Sequence, residues 1–305
     1  MPSWNDLKNQ FDAQPNDQAK FHWIEANLVA SLQSVSNLRE GRNVILYASS
    51  FLQKPQVQGP LNAVNMEDIN GLMSVMQGMD CSRNLTLILH TPGGDPAAAN
   101  ALVAYLHSKF SFIEAIIPAY AMSAGTMISL GTNRLIMGRQ SQVGPIDAQM
   151  LAGNGYRSAG AIIDAFERAK ADITANPVMA HLWHPILQGM GPSLLVEAQN
   201  NLDYGEHMVK GWLEKRMFAG NPNAAAMAAA TAKHFNAVQI HKYHSRRIDR
   251  DEARAVNVAV EDLETNQLFQ DAVLTNYHVF SLNFLATKAA KVVASSNGVV
   301  WQRNI

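Results

Sequence analysis

The chain has a single cysteine, Cys81, so an internal disulfide and a cysteine-based zinc cage are both excluded, and a reducing compartment fits. Charge is sparse at 16% of 305 residues, and its signs nearly cancel: 24 lysines and arginines face 25 aspartates and glutamates. No global field therefore draws the chain to nucleic acid or to an acidic membrane surface. The N-terminal stretch MPSWNDLKNQFDAQPNDQ lacks the apolar core of a secretory signal, so cytoplasmic residence is the expectation. The chain also holds no Walker-type glycine loop, so any ATPase would be a separate partner. Residues 115 to 133 carry no charge, but Pro118, Ser123, Gly125, Thr126, Ser129 and Gly131 interrupt them. A buried strand running into a buried helix, and no membrane span, is expected there.

What is present is a large apolar fraction, 48%, enough for a sizeable core. Residues 17 to 40 space Phe21, Ile24, Leu28, Leu32 and Val35 as one helical face. From residue 43 the runs NVILYAS, LTLILHT, FIEAIIPAY and NRLIMG read as strands, with helical patterns between them. That alternation predicts a mostly parallel α/β sheet. From residue 158 the patterns become long and helical, and no low-complexity linker intervenes. The expected organisation is an N-terminal helical segment (1–42), an α/β core (43–157) and a helical C-terminal region (158–305) packed on the core or on a neighbouring subunit. The apolar tail VVWQRNI is expected to dock on the body or a subunit.

The chemistry concentrates between Leu85 and Gln149. In AYAMSAGT, Ser123 stands at a strand-to-helix junction among small neighbours, where a substrate carbonyl could approach and unpaired helix N–H groups could meet an oxyanion. The competing reading is that Ser123 caps the helix. TPGGD ends the preceding strand, so Gly93 and Gly94 should lie at the same carboxyl edge of a parallel sheet and could turn an N–H into a cavity. A simple tight turn is the alternative.

HTPGGD, then YAMSAGT, then VGPID resemble the crotonase-like serine peptidases that include the Clp proteolytic subunit and signal peptide peptidase A, and the serine dehydrogenase proteinase family above all. The similarity extends through NVILYASSFLQK, FERAK, WHPIL, GPSLLVEAQNNL, WLEKRMF and HSRRI. The resemblance implies a crotonase-like (Clp protease type) ββα superhelix core and Ser123 as nucleophile. It also implies an oxyanion hole from the N–H of Gly93 or Gly94 with that of Ala124, and a homo-oligomer acting on peptide or protein substrates without a cofactor.

The base is left open. The Clp subunit carries a histidine after the nucleophile, whereas SQVGPID has none. Lys170 is one candidate, because signal peptide peptidases use lysine and IIDAFERAKADI places it beside Ile163, Phe166 and Ile173; the alternative is a lysine reaching water at the edge of that stripe. His244 in HKYHSRRI is another, matching a histidine in a similar block of the family, with a surface histidine in a basic segment as its alternative. Asp147 could hold the base or a loop, and His90 could orient the glycine turn. His181 and His184 are spaced for a metal but lack a third ligand, so no metal is expected. The predicted activity is an ATP-independent serine endopeptidase. A catalytically silent scaffold, and an acyl-CoA hydratase or thioesterase on the same fold, are the competing functions.

Overall fold

The computed structural model describes residues 3–57, 59–152, 155–191 and 193–305. In chain order the strands are β1 (Asn43–Ser49), β2 (Leu85–His90), β3 (Ile113–Ile117), β4 (Tyr120–Ala121), β5 (Arg134–Met137), β6 (Gln142–Val143), β7 (Gln149–Ala152), β8 (Gly155–Ser158), β9 (Val260–Asp262), β10 (Ala289–Ser295) and β11 (Val300–Asn304). The helices are α1 (Trp4–Asp12), α2 (Asp17–Leu38), α3 (Asp68–Val75), α4 (Pro96–Lys109), α5 (Ala124–Leu130), α6 (Ala159–Ala175), α7 (Ala180–Gln188), α8 (Leu194–Lys215), α9 (Ala224–Asn236), α10 (Val238–His241), α11 (Arg250–Ala255) and α12 (Gln267–Ala286).

A central sheet of seven strands runs in the order β11-β10-β1-β2-β3-β5-β9. From β1 to β9 every pairing is parallel, and β10 and β11 add antiparallel at the β1 edge. The strands read as unbroken apolar runs because both faces are covered. Ile45, Leu87, Ala115, Ile117 and Leu135 point to one layer, built with α3, α4, α5, α8 and α9. Val44, Leu46, Ile88, Ile116 and Ile136 alternate to the other, where α1, α2 and α12 pack.

Past the carboxyl ends of the parallel strands the chain repeats a second, shorter extended segment before each helix. Thr91 bridges Ala121, β4 pairs with β6, and Val143 bridges Ile248. One turn earlier Val64 bridges Gly94, just ahead of α3. These strand, short strand and helix units give the mixed α/β core its ββα character. The uncharged stretch 115–133 divides into β3, β4 and α5, and among the described residues no helix is long and apolar enough to cross a membrane.

One part departs from the sequence reading. Residues 158–305 are not wholly helical: RDEARAVNVAVEDLE stops as a helix at Ala255, turns at Asn257 with φ 71°, and enters β9 beside β5. Then α12, β10 and β11 return to the sheet, so the tail VVWQRNI docks as an edge strand against β10. AAKVVAS conceals β10 by placing a lysine within an apolar run. The polar N-terminus also forms a helix, α1, which Ser3 and Asp6 start through a reciprocal capping box.

At the amino edge of the sheet a buried carboxylate organises the ends of α2, β3 and β5. Glu114 accepts from Arg39 at 2.5 and 2.8 Å, from Arg42 and Arg134 at 2.8 Å and from Thr86 at 2.7 Å. Burial alone would raise its pKa, but the hydrogen bonds from Arg39 and Thr86 and the Arg39 charge outweigh that and hold it at about 2. Glu114→Gln, which leaves three guanidinium groups around a neutral amide, is expected to lower unfolding stability by about 3–5 kcal/mol in a urea titration.

His90, at the end of β2, is fully buried among Phe51, Tyr120, Tyr277 and Phe280, and neither ring nitrogen has a hydrogen-bond partner. Burial pushes its pKa down from 6.5 to about 3. In that interval the unfolded chain binds a proton that the native chain refuses, so the stability present above pH 6.5 drains away as the pH falls toward 3. Between pH 7.5 and 5, His90→Leu is expected to lose about 2 kcal/mol less stability than the wild type. Equal losses in both proteins would refute it.

Candidate active site

Ser123 joins β4 to α5, and its backbone, at φ 51° and ψ −117°, lies where side-chain-bearing residues are rare. It stands at the N-cap position yet its side chain makes no capping bond. The capping role is therefore not what holds a serine here. The strain is fixed from both sides. Met122 N–H donates to Thr91 O at 3.1 Å, Gly125 N–H to Met122 O at 2.7 Å and Met127 N–H to Ser123 O at 3.0 Å. Gly125 is required by a close approach, since a Cβ there would lie 2.5 Å from Thr91 Cγ2. Such an over-determined elbow holds a half-buried hydroxyl at a fixed place.

The glycine turn packs directly on it. A Cβ on Gly93 would sit 2.6 Å from Ser123 Cβ, 2.7 Å from Met122 O and 3.1 Å from Ala124 N. A Cβ on Gly94 would sit 2.4 Å from both N and O of Val64. Both glycines have left-handed φ, 105° and 151°. Gly93 N–H is already spent on Thr91 Oγ1 at 3.2 Å, and its carbonyl accepts Val64 N–H at 2.8 Å. Asp95 Oδ1 caps α4 through Ala97 N–H at 2.8 Å.

His244 and Asp147, from opposite halves of the chain, meet each other. His244 Nδ1 lies 2.8 Å from Asp147 Oδ1, whose other oxygen accepts from Gln149 Nε2 at 2.8 Å. Asp147 is 3% exposed. The carboxylate acceptor places the imidazole proton on Nδ1 and leaves the Nε2 lone pair available. The bridge between Val143 and Ile248 carries the histidine segment to this edge. Gly144 ties it to the elbow: its N–H donates to Thr126 Oγ1 at 2.9 Å, and a Cβ there would lie 2.5 Å from Met122 Cε and 3.6 Å from Arg246 O.

The other candidates stand apart. Lys170, on α6, has a side chain that is 78% exposed and faces Glu167 at 3.9 Å, so the desolvation that a lysine base needs is missing. The reading that placed it in a buried stripe is corrected: it reaches water, as the alternative foresaw. The His90 ring makes no hydrogen bond to the turn and packs instead among Phe51, Tyr120, Tyr277 and Phe280. His181 and His184 are exposed on α7. A grouping that spacing could not reveal joins His234, His241 and Glu252, whose donor atoms lie within 4.8 Å of one another. Arg246 already occupies it, donating to Glu252 Oε1 at 2.5 Å and lying 3.2 Å from His241 Nδ1. The contact of His244 with Asp147 was likewise hidden, because 97 positions separate the two residues.

Comparisons with known proteins place the chain among the following relatives. The chain is 32% identical over 153 residues to one uncharacterized protein of Methanocaldococcus jannaschii, covering 48% of this chain and 50% of the other. It is 30% identical over 105 residues to a second from the same organism, covering 34% and 35%. The chain thus spans half or less of the length of the curated relatives it matches. A solved structure of a mutant of the 1510-N membrane-bound stomatin-specific protease aligns with a TM-score of 0.34 at 15% identity, over 66% of this chain and 92% of the other. The family described as ClpP-like SDH-type serine proteinase matches residues 60–183. The segment that carries Val64, the glycine turn, Ser123 and Asp147 is thus the part of the chain that is similar to the ClpP-like SDH-type serine proteinases.

Proposed function

We propose that the protein is a serine peptidase that hydrolyses peptide bonds through an acyl-enzyme on Ser123, with His244 as general base and Asp147 as its orienting carboxylate. The observation that carries the reading is the backbone of Ser123: a positive φ without a cap bond has a cost that a merely structural serine would not repay. In this mechanism Ser123 Oγ attacks the carbonyl carbon while its proton passes to His244 Nε2. Asp147 accepts the Nδ1–H bond and stabilises the imidazolium. The oxyanion takes hydrogen bonds from Gly94 and Ala124 N–H. Gly93 serves by lacking a side chain, its own N–H being engaged with Thr91. The imidazolium then protonates the departing amine, and a water, activated by the same nitrogen, releases the acyl group.

Self-association fits the surface. Leu151, Tyr156, Leu182 and Ile186 are exposed apolar side chains on the hairpin and α7, consistent with a homo-oligomer buried there.

A fluorophosphonate probe tests the nucleophile. Labelling is expected at Ser123 and lost in Ser123→Ala with the fold retained; a wild-type protein that takes no label would sink the peptidase reading. For the base, His244→Gln and Asp147→Asn should each lower kcat/KM on an activated peptide ester by about 10³–10⁴-fold. Lys170→Ala should leave it unchanged, and a large loss there would return the base to α6. Gly93→Ala should abolish labelling in a folded protein, because the new methyl occupies the space of Ser123 Cβ.

A further inference from the structure

Behind the glycine turn lies a buried charge cluster that the mechanism does not use. Lys291 of β10 and Asp68 of α3 are paired at 2.5 Å with no side-chain surface exposed on either. Tyr47 Oη donates to Asp68 Oδ2 at 2.6 Å. Buried pairs of this kind add little stability over apolar side chains of similar size, so what they hold is the informative question.

They hold residues 63–65. Lys291 Nζ donates to Ala63 O at 2.8 Å, and Asp68 Oδ2 accepts Asn65 N–H at 2.8 Å. The residue between, Val64, donates its N–H to Gly93 O at 2.8 Å and receives Asp95 N–H on its own carbonyl at 2.9 Å. The peptide linking Gly93 to Gly94 is trans and planar, so its carbonyl and its N–H point in opposite directions. Fixing Gly93 O on one side therefore fixes the direction of Gly94 N–H on the other. Two glycines in succession have no side chain to set that plane themselves.

We propose that Tyr47, Asp68 and Lys291 are positioning residues of the oxyanion hole: they clamp residues 63–65 so that Val64, through Gly93 O, aims the Gly94 N–H. The proposal rests on Ser123 being the nucleophile, and the cluster touches neither substrate nor Ser123. A conformationally free glycine turn is thereby given one orientation by an ion pair whose lysine stands two strands away in the sheet.

The test uses the double variant Asp68→Leu with Lys291→Met in the whole 305-residue chain, which removes both charges together so that neither is left buried alone. Tyr47→Phe, which deletes a single bond to Asp68, is the mild companion. Two measurements are made on each: amide hydrogen exchange of the backbone around Val64 and Asp95, and the pH dependence of fluorophosphonate labelling at Ser123. In the double variant those amides should exchange faster while the rest of the sheet keeps its protection. Labelling should slow by about 10–100-fold, the scale of a small misplacement in an active site. The acid midpoint of the labelling profile should stay where the wild type has it, because His244 is untouched. Tyr47→Phe should move both readouts in the same direction by less, and it carries the test if the double variant does not fold. Unchanged exchange, or faster exchange with wild-type labelling, overturns the proposal. A shifted midpoint overturns it too, by assigning the cluster to the base. Should wild-type Ser123 take no label, the serine reading falls, and the exchange measurement alone then decides whether the clamp on residues 63–65 exists.

Discussion

Everything at the carboxyl edge depends on main chain meeting main chain without side chains between them. Gly93 lies against the Ser123 elbow and Gly94 against Val64, each at a distance where a methyl group would overlap backbone atoms or the Ser123 Cβ. That contact brings three successive ββα units into register at one point. It also keeps the nucleophile and the turn from moving independently, since Met122 and Ser123 are bonded or packed against the segment that includes Thr91 and Gly93. A loosely packed edge could not hold Ser123 at φ 51°.

The two ends of the parallel strands divide the work. At the amino end, Glu114 gathers arginines from the turn between α2 and β1 and from β5, and fixes the strand starts through fully satisfied, charge-assisted bonds. At the carboxyl end, around the Ser123 elbow and the glycine turn, the bonds are mostly backbone to backbone. Ligand sites of open α/β sheets lie at this end because the strands' following loops converge there. Two apolar layers hold the sheet between these edges, and His90 extends the apolar character to the last residue of β2.

What could be read in advance follows a physical rule. The strands β1, β2, β3 and β5 are continuous apolar runs whose type is written locally, and the serine and glycine motifs are contiguous, so both were legible in sequence. β10 was not, because Lys291 looks like an interruption until Asp68, 223 positions away, is seen to neutralise it. α11 ends and β9 begins only because β5 offers a parallel edge, a fact absent from RDEARAVNVAVEDLE itself. Lys170 illustrates the converse: a stripe of apolar neighbours predicts burial only if something packs on it, and the lysine lies outside what is covered. The choice between Gly93 and Gly94 as the proposed oxyanion donor also required the fold, since only the Thr91 hydroxyl reveals that Gly93 N–H is taken.

The pairing of Asp147 with His244 has a logic that holds apart from catalysis. A carboxylate only 3% exposed needs hydrogen-bond donors, and here it has two, the Gln149 amide and the His244 ring. Asp147 lies within the stretch that matches the proteinase family, whereas His244 lies beyond it, in the part of the chain that returns to the edge through Ile248. The matched segment alone would therefore retain the serine and the N–H groups but leave its aspartate short of a partner. Supplying that partner with an imidazole, whose remaining nitrogen is left as an acceptor, meets the structural need and provides the base of the proposed mechanism. The C-terminal region, from which the sequence offered His244 as one of two candidate bases, is thus what makes the proposed active site chemically complete.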